Sequence, residues 1–342
     1  MKGILILGLA LLAIGACKPL KSANTETPDD NEFIVAFGSC NKHDMENALW
    51  DDVLATNPDV WVWGGDIVYA DTDDMEKMER MYAAQKNVPG YKKLVQEVPI
   101  IGTWDDHDYG LNDGGVEFRA KKGSQQQLLD FLGVPKDSPR RVQEGVYTSH
   151  EYALPAGKVN IIILDTRYFR TPLTRDTLTN KRNTPNTYGQ GTILGQKQWQ
   201  WLEEELRTSK AAFNLILSSV QFLSDKHGFE CWGNFPHEVD RLEKTIVESG
   251  AKGVIILSGD RHISEFSKTD VAGLPYPLYD FTSSGLTHVY EAFSGEENPY
   301  RVGGVVFEKS FGLLTIDVRS KNVVFSIRGD NGKVLGQTQQ SY

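Results

Sequence analysis

Six apolar runs punctuate the chain, at residues 33–37, 60–63, 98–101, 161–164, 215–220 and 254–257. Each is rich in β-branched or aromatic residues and too short for a buried helix, so each predicts a strand. Their near-continuous apolar character suits strands covered on both faces, as in a parallel sheet. Between them the spacing becomes helical. Residues 44–54 carry Leu49, Trp50, Val53 and Leu54, and residues 73–82 carry Met75, Met78, Met81 and Tyr82. Those methionines predict core packing rather than a cofactor-binding stripe. Residues 196–210 place Trp199, Leu202 and Leu206 on one face and Glu203, Glu204 and Glu205 largely elsewhere. Residues 236–250 open with Pro236 and close with Gly250, the usual asymmetry of helix ends. After residue 300 the pattern turns to strands, at 312–318 and 322–328 around Ser320-Lys321, with a further turn at Asp330-Asn331-Gly332. Stretches 109–115 and 171–192, rich in Gly, Pro and Asn, predict loops, the second long enough for a lid or pocket wall. Alternating strands and helices predict an α/β fold.

The 342 residues suffice for one large domain or two ordinary ones, and a hydrophobic share of 40% supports a substantial core. A net charge of -10 argues against a polyanion scaffold such as a DNA-binding surface. It leaves a small phosphate ester open as a ligand, because bound cations would dominate the local field.

The N-terminus reads as a targeting segment, with Lys2 followed by an uncharged apolar stretch from Ile4 to Ala16. That stretch is too short for a comfortable membrane span. It ends in Ile14-Gly15-Ala16-Cys17, which resembles the bacterial lipobox. The implied organisation is a signal peptide at 1–16, a polar, flexible tether at 17–32 and a folded domain at 33–342. The expected chain is exported and held on the outer membrane or cell surface by a lipid on Cys17. Of the other cysteines, Cys40 ends the first strand run and is read as a ligand; a Cys40–Cys231 disulfide is the alternative in an exported protein.

In α/β sheets, ligands bind outside the carboxyl ends of the strands. Here those ends carry Gly38-Ser39-Cys40, Gly64-Gly65-Asp66 with Tyr69, Trp104-Asp105-Asp106-His107-Asp108, Asp165-Thr166-Arg167, Gln221, and Ser258-Gly259-Asp260-Arg261-His262. Three carboxylates around one imidazole repel one another unless cations sit among them. Asp260 and His262, two apart, would face one pocket if the segment were extended. Arg167 suits bidentate phosphate binding, with an ion pair to Asp165 or a site acid nearly as good an account. His43 could line the site or a helix start, His288 could reach the pocket rim, and His150 and His227 are expected at the surface. There is no Gly-x-Ser-x-Gly elbow, P-loop, Gly-x-Gly-x-x-Gly fingerprint or His-Glu-x-x-His pair.

These stretches, together with Gly65-Asp66 through Asp71, resemble the PhoD-like alkaline phosphatase/phosphodiesterase family, a branch of the calcineurin-like metallophosphatases. The resemblance spans about residues 33–290. It implies a four-layer αββα sandwich with two mixed β-sheets and metals at the strand ends. It implies a first metal, ferric iron in the family, on Cys40, Asp66, Tyr69 and His262. A second, calcium-like site would share Asp66 and add Asp106, Asp260 and Gln221, with Asn112 nearby. His107 takes the place of the family's catalytic histidine. The expected reaction is hydrolysis of phosphate mono- and diesters by a metal-activated water, with Arg167 clamping a phosphate oxygen. A diesterase acting on membrane lipids, and a non-catalytic surface lipoprotein that binds metal or glycan, are the alternatives.

Overall fold

The computed structural model describes residues 30–342, so the predicted signal peptide, Cys17 and most of the tether lie outside the described residues. The first half contains β1 (Glu32–Gly38), α1 (Leu49–Ala55), β2 (Val60–Gly64), α2 (Met75–Asn87), α3 (Pro89–Glu97), β3 (Ile100–Thr103), α4 (Asp106–Tyr109) and α5 (Lys121–Phe131). Next come β4 (Thr148–Leu154), β5 (Gly157–Ile163), the short pair β6 (Thr174–Arg175) and β7 (Asn183–Thr184), α6 (Gly195–Thr208), β8 (Phe213–Leu217), α7 (Pro236–Ser249) and β9 (Val254–Ser258). The chain ends in β10 (Ser264–Thr269), β11 (Leu278–Ser283), β12 (Arg301–Val306), β13 (Phe311–Asp317), β14 (Asn322–Arg328) and β15 (Val334–Ser341).

Two large mixed sheets result. One has 6 strands in the order β15-β14-β13-β1-β2-β3, and the other has 7 in the order β12-β10-β11-β9-β8-β5-β4. Strands β1, β2 and β3 run parallel, as do β5, β8, β9 and β11, whereas β13 and β4 join antiparallel. Successive side chains of a strand point to opposite faces, and this alternation builds the layers. Val35, Phe37, Val60 and Val62 of the first sheet meet Ile161, Ile163, Leu215, Leu217, Ile255 and Leu257 of the second in one shared core. The intervening Ala36, Trp61 and Trp63 face Trp50, Met78, Tyr82, Tyr91 and Leu94 of the helices on one outer side. Ile162, Ile216 and Ile256 face Trp199, Leu202, Leu242 and Ile246 on the other. The order is therefore helix, sheet, sheet, helix. Among the described residues no helix is long and apolar enough to cross a membrane.

Several boundaries differ from the sequence expectation. The first helix starts at Leu49 rather than residue 44: the Asn41 and Lys42 amides are held at the strand ends by the Asp66 carbonyl and the Thr287 hydroxyl, and Asn47 Oδ1 accepts from the Leu49 amide just before the helix. The run at 215–220 leaves the strand after Leu217, where the Ser218 hydroxyl turns back to the Val220 carbonyl. Met78 is fully buried, with Met75 and Met81 packed beside it.

Candidate metal centre

The carboxyl ends of β1, β2, β3 and β9 meet at one point. The Cys40 Sγ lies 3.4 Å from Asp66 Oδ2 and 3.0 Å from Ser284 Oγ. The Tyr69 hydroxyl lies 3.2 Å from Asp66 Oδ2 and 3.2 Å from His262 Nε2. Three sets of donor atoms each fall within 4.8 Å of one another: Cys40, Asp66 and His262; Asp66, Asp106 and His107; Asp105, Asp106 and Asp260. Asp66 and Asp106 each belong to two sets, so the donors form adjoining cradles that share carboxylates.

The backbone delivers these groups under strain. Cys40, Asp66, Asp260 and His262 have φ of 58°, 51°, 66° and 55°, the left-handed region that L-residues seldom occupy. Asp260 and His262 thus reach one site through a turn, not through the alternation of an extended segment. Gly65, at φ 98°, passes so close to the next strand end that a Cβ there would sit 2.5 Å from the Cβ of Asp105. Only glycine leaves room for the two loops to converge.

The acidic stretch at 105–108 divides its labour. Asp106 faces the cavity, where its Oδ2 accepts from the Asn112 side chain and the Asp113 amide at 2.7 Å each. Asp108 turns inward and accepts from the amides of Asp66, Ile67 and Asp105. It ties the second strand end to the third. Asp105 is buried against Arg167 and Ser219. His107 Nδ1 is held by Asp71, 2.8 Å from Oδ1, and its ring packs on Tyr69 at 4.0 Å between centroids.

The site is short of positive charge. Burial pushes the Cys40 thiol up to about 12, against the Ser284 hydrogen bond and with help from Asp260. Burial also raises Asp66, reinforced by Cys40 and Asp106, and raises Tyr69. Asp106 moves the other way: Arg167, His107 and the Asp113 and Asn112 donors outweigh burial and hold it near about 2. Its Oδ1 is nonetheless buried without a donor, as is Gln221 Oε1. Metal cations would displace the thiol, phenol and carboxyl protons and occupy the vacant lone pairs. The donor set fits such ions. Thiol, phenol and imidazole suit a polarisable or highly charged metal, and the all-oxygen side suits a hard cation.

Comparison with known proteins agrees with this geometry. A sequence model of the PhoD-like phosphatases matches residues 34–298. The chain belongs to the PhoD-like phosphatase family. It is 22% identical over 330 aligned positions to alkaline phosphatase D of Bacillus subtilis (strain 168), covering 81% of this chain. It spans only about half the length of that relative, 55%. A solved structure of PhoD superposes with a TM-score of 0.70 at 16% identity, over 91% of this chain and 68% of the other. A dimetal phosphatase from Danio rerio gives 0.55 at 15% identity, over 91% and 99%. Both likenesses are of fold.

In this PhoD-like chain other predicted residues take less expected places. Gln221 donates its amide to Glu265 and Thr282 at 2.9 Å each, which turns its oxygen away from both and leaves it free of donors. Arg167 does not line the cavity. It is wholly buried, bonded to Asp105 and to Glu230 at 2.5 Å. The pull of two buried carboxylates outweighs any outward reach, so the ion pair to a site acid is the correct account. Cys40 and Cys231 are both free, which excludes the disulfide in this structure. His227 is buried against the Ser224 carbonyl rather than exposed, and His150 is half-buried on β4. His288 packs on Tyr69 and His262, with ring centroids at 4.9 and 4.5 Å.

The cavity beside the PhoD-like donor set holds about 500 Å³. The loop at 171–192 supplies Arg182 to its wall, as a pocket-wall loop should. Sequence reasoning assigned no role to Asp71 or Arg261, though both stand in the quoted strand-end stretches, and did not point to Phe229, Glu230 or Tyr290 at all. Asp71 stands two residues past Tyr69 in the resembling stretch and carried that signal. Phe229 and Glu230 lie in an irregular segment without periodicity and carried none.

Proposed function

We propose that this chain hydrolyses phosphate esters at a centre of two metal ions. The observation that carries the reading is the run of adjoining cradles: Cys40, Asp66 and His262 with the Tyr69 hydroxyl beside them, joined through Asp66 to Asp106 and His107, and through Asp106 to the oxygen-only set of Asp105, Asp106 and Asp260. Cys40, Asp66, Tyr69 and His262 would hold a ferric-type ion; Asp66, Asp106, Asp260 and the free oxygen of Gln221 would hold a calcium-type ion, with Asn112 orienting Asp106. Such ions supply Lewis acidity to the phosphate and a nucleophilic water near neutral pH. The protein's own share is positional. Asp71 fixes His107 through Nδ1, so the proton on Nε2 is available to the leaving oxygen of a substrate in the cavity. Burial opposes charge on this ring, but Asp71, Asp66 and Asp106 overcome it and lift its pKa to about 10. The hydrogen bond to Asp71 favours the protonated ring, the form that can donate to a leaving oxygen. No side chain needs to act as nucleophile, since Cys40 is a buried ligand.

The N-terminal pattern adds a second element to the proposal: export and attachment to a membrane through a lipid on Cys17, with the domain at 33–342 acting on phosphate esters outside the cell's interior. The test is turnover. Purified protein should hydrolyse nitrophenyl phosphate mono- or diesters, lose that activity to a chelator and regain it with metal. Absence of turnover under every metal supplement, with the fold intact, would overturn the reading.

A further inference from the structure

Two guanidinium groups line the cavity, and they are not equivalent. Arg182 is partly exposed and bound to Asp113 at 2.6 Å. Arg261 stands between Asp260 and His262 and is 6% exposed. Its NH2 meets both carboxylate oxygens of Glu296, at 2.8 and 3.0 Å, and its Cζ lies 4.2 Å over the Phe229 ring. Its Nε–H, however, is buried and has no hydrogen-bond acceptor among the described residues. Leaving a charged donor buried and unpaired is costly unless a ligand completes it. The carboxylate on NH2 and the aromatic face fix the plane of the guanidinium and leave Nε–H for a further acceptor such as an anion's oxygen.

We infer that Arg261 grips the phosphate of the bound ester, with Phe229 and Glu296 holding its orientation. This rests on the phosphoesterase reading and assigns the anion clamp to a residue other than Arg167. The side chain is flanked by two donors of the cradles, so a phosphate oxygen held by Arg261 would lie beside the metal ions. Lysine would keep the charge but not the planar fork.

The experiment compares the metal-reconstituted parent with Arg261→Lys, Arg261→Gln and Phe229→Leu. Metal content, orthophosphate binding by calorimetry and kcat/KM are measured on the same samples. Both Arg261 variants should keep the parent's metal content, weaken orthophosphate binding at least about tenfold and lose a similar factor in kcat/KM. Phe229→Leu should weaken binding about threefold. Unchanged orthophosphate affinity in both Arg261 variants would overturn the inference. So would a loss that merely tracks lost metal, which would make the residue a support for Asp260 and His262. If the parent binds orthophosphate through Arg261 but turns over no ester, the clamp stands and the hydrolase reading fails.

Discussion

The Tyr69 hydroxyl lies 3.2 Å from His262 Nε2, although the two residues are 193 positions apart. The same hydroxyl donates to Asp66, so one phenol joins the loop after β2 to the turn after β9. It closes the cradle that Cys40 opens from β1.

Tyr69→Phe removes that oxygen while keeping the ring that packs on His107. The variant should fold as the parent does and bind its first metal roughly 10–100-fold more weakly. Dialysis against graded chelator followed by elemental analysis checks this. Equal retention would show that the phenol is only a packing group.

Asp71 and His107 give a prediction about pH. The folded His107 is raised to about 10, so its proton is present below that value and lost above it. Metal loading would offset the help from Asp66 and Asp106, but not the hydrogen bond that His107 Nδ1–H donates to Asp71. In Asp71→Asn the alkaline limb of the kcat/KM profile should therefore move to lower pH by about one unit. A limb that stays in place would mean that His107 is not the group titrating there.

Arg167 is predicted to matter for stability first. Arg167→Met would leave Asp105 buried without its cation and Glu230 with Arg170 alone, at a cost of about 3–5 kcal/mol. Urea denaturation of the metal-free protein reads this without interference from the site. A loss below about 1 kcal/mol would contradict the buried ion-pair account.

His150 should tune acid stability from outside the site. Burial, aided by Arg140, lowers its folded pKa to about 4 from 6.5. Its neutral form is thus favoured by folding: the contribution is full above 6.5 and is lost as pH falls through 4. In His150→Gln the loss of stability between pH 7 and pH 5 should be smaller by about 1 kcal/mol. The comparison with the parent cancels effects of the site acids, and an identical loss would refute it.

The parallel strands were legible because burial on both faces turns them into unbroken apolar runs, as at 60–63 and 254–257. Their ends carried the chemistry, so Cys40, Asp66, Asp260 and His262 stood out by residue type and position, and the family resemblance supplied the expected roles of Tyr69, Asp106 and His107. Helix α5 was not legible: it opens on Lys121-Lys122-Gly123 and buries Ser124 and Gln125, which breaks the apolar stripe. Strand β15 carries Gln337, Gln339 and Gln340 at a sheet edge, where nothing demands apolar side chains. The fate of Arg167 was hidden for a different reason. Its partner Glu230 comes from an irregular segment 63 residues away, and no local pattern reports such a pairing.

Elemental analysis of the purified protein beside Asp66→Ala and Asp106→Ala tests the central claim most directly. Adjoining cradles linked through Asp66 and Asp106 predict more than one metal ion per chain, and the proposed function expects iron together with calcium. Asp66→Ala should lose both, and Asp106→Ala should lose chiefly the calcium-type ion. A parent with no stoichiometric metal, or an Asp66→Ala variant that keeps both ions, would contradict the account.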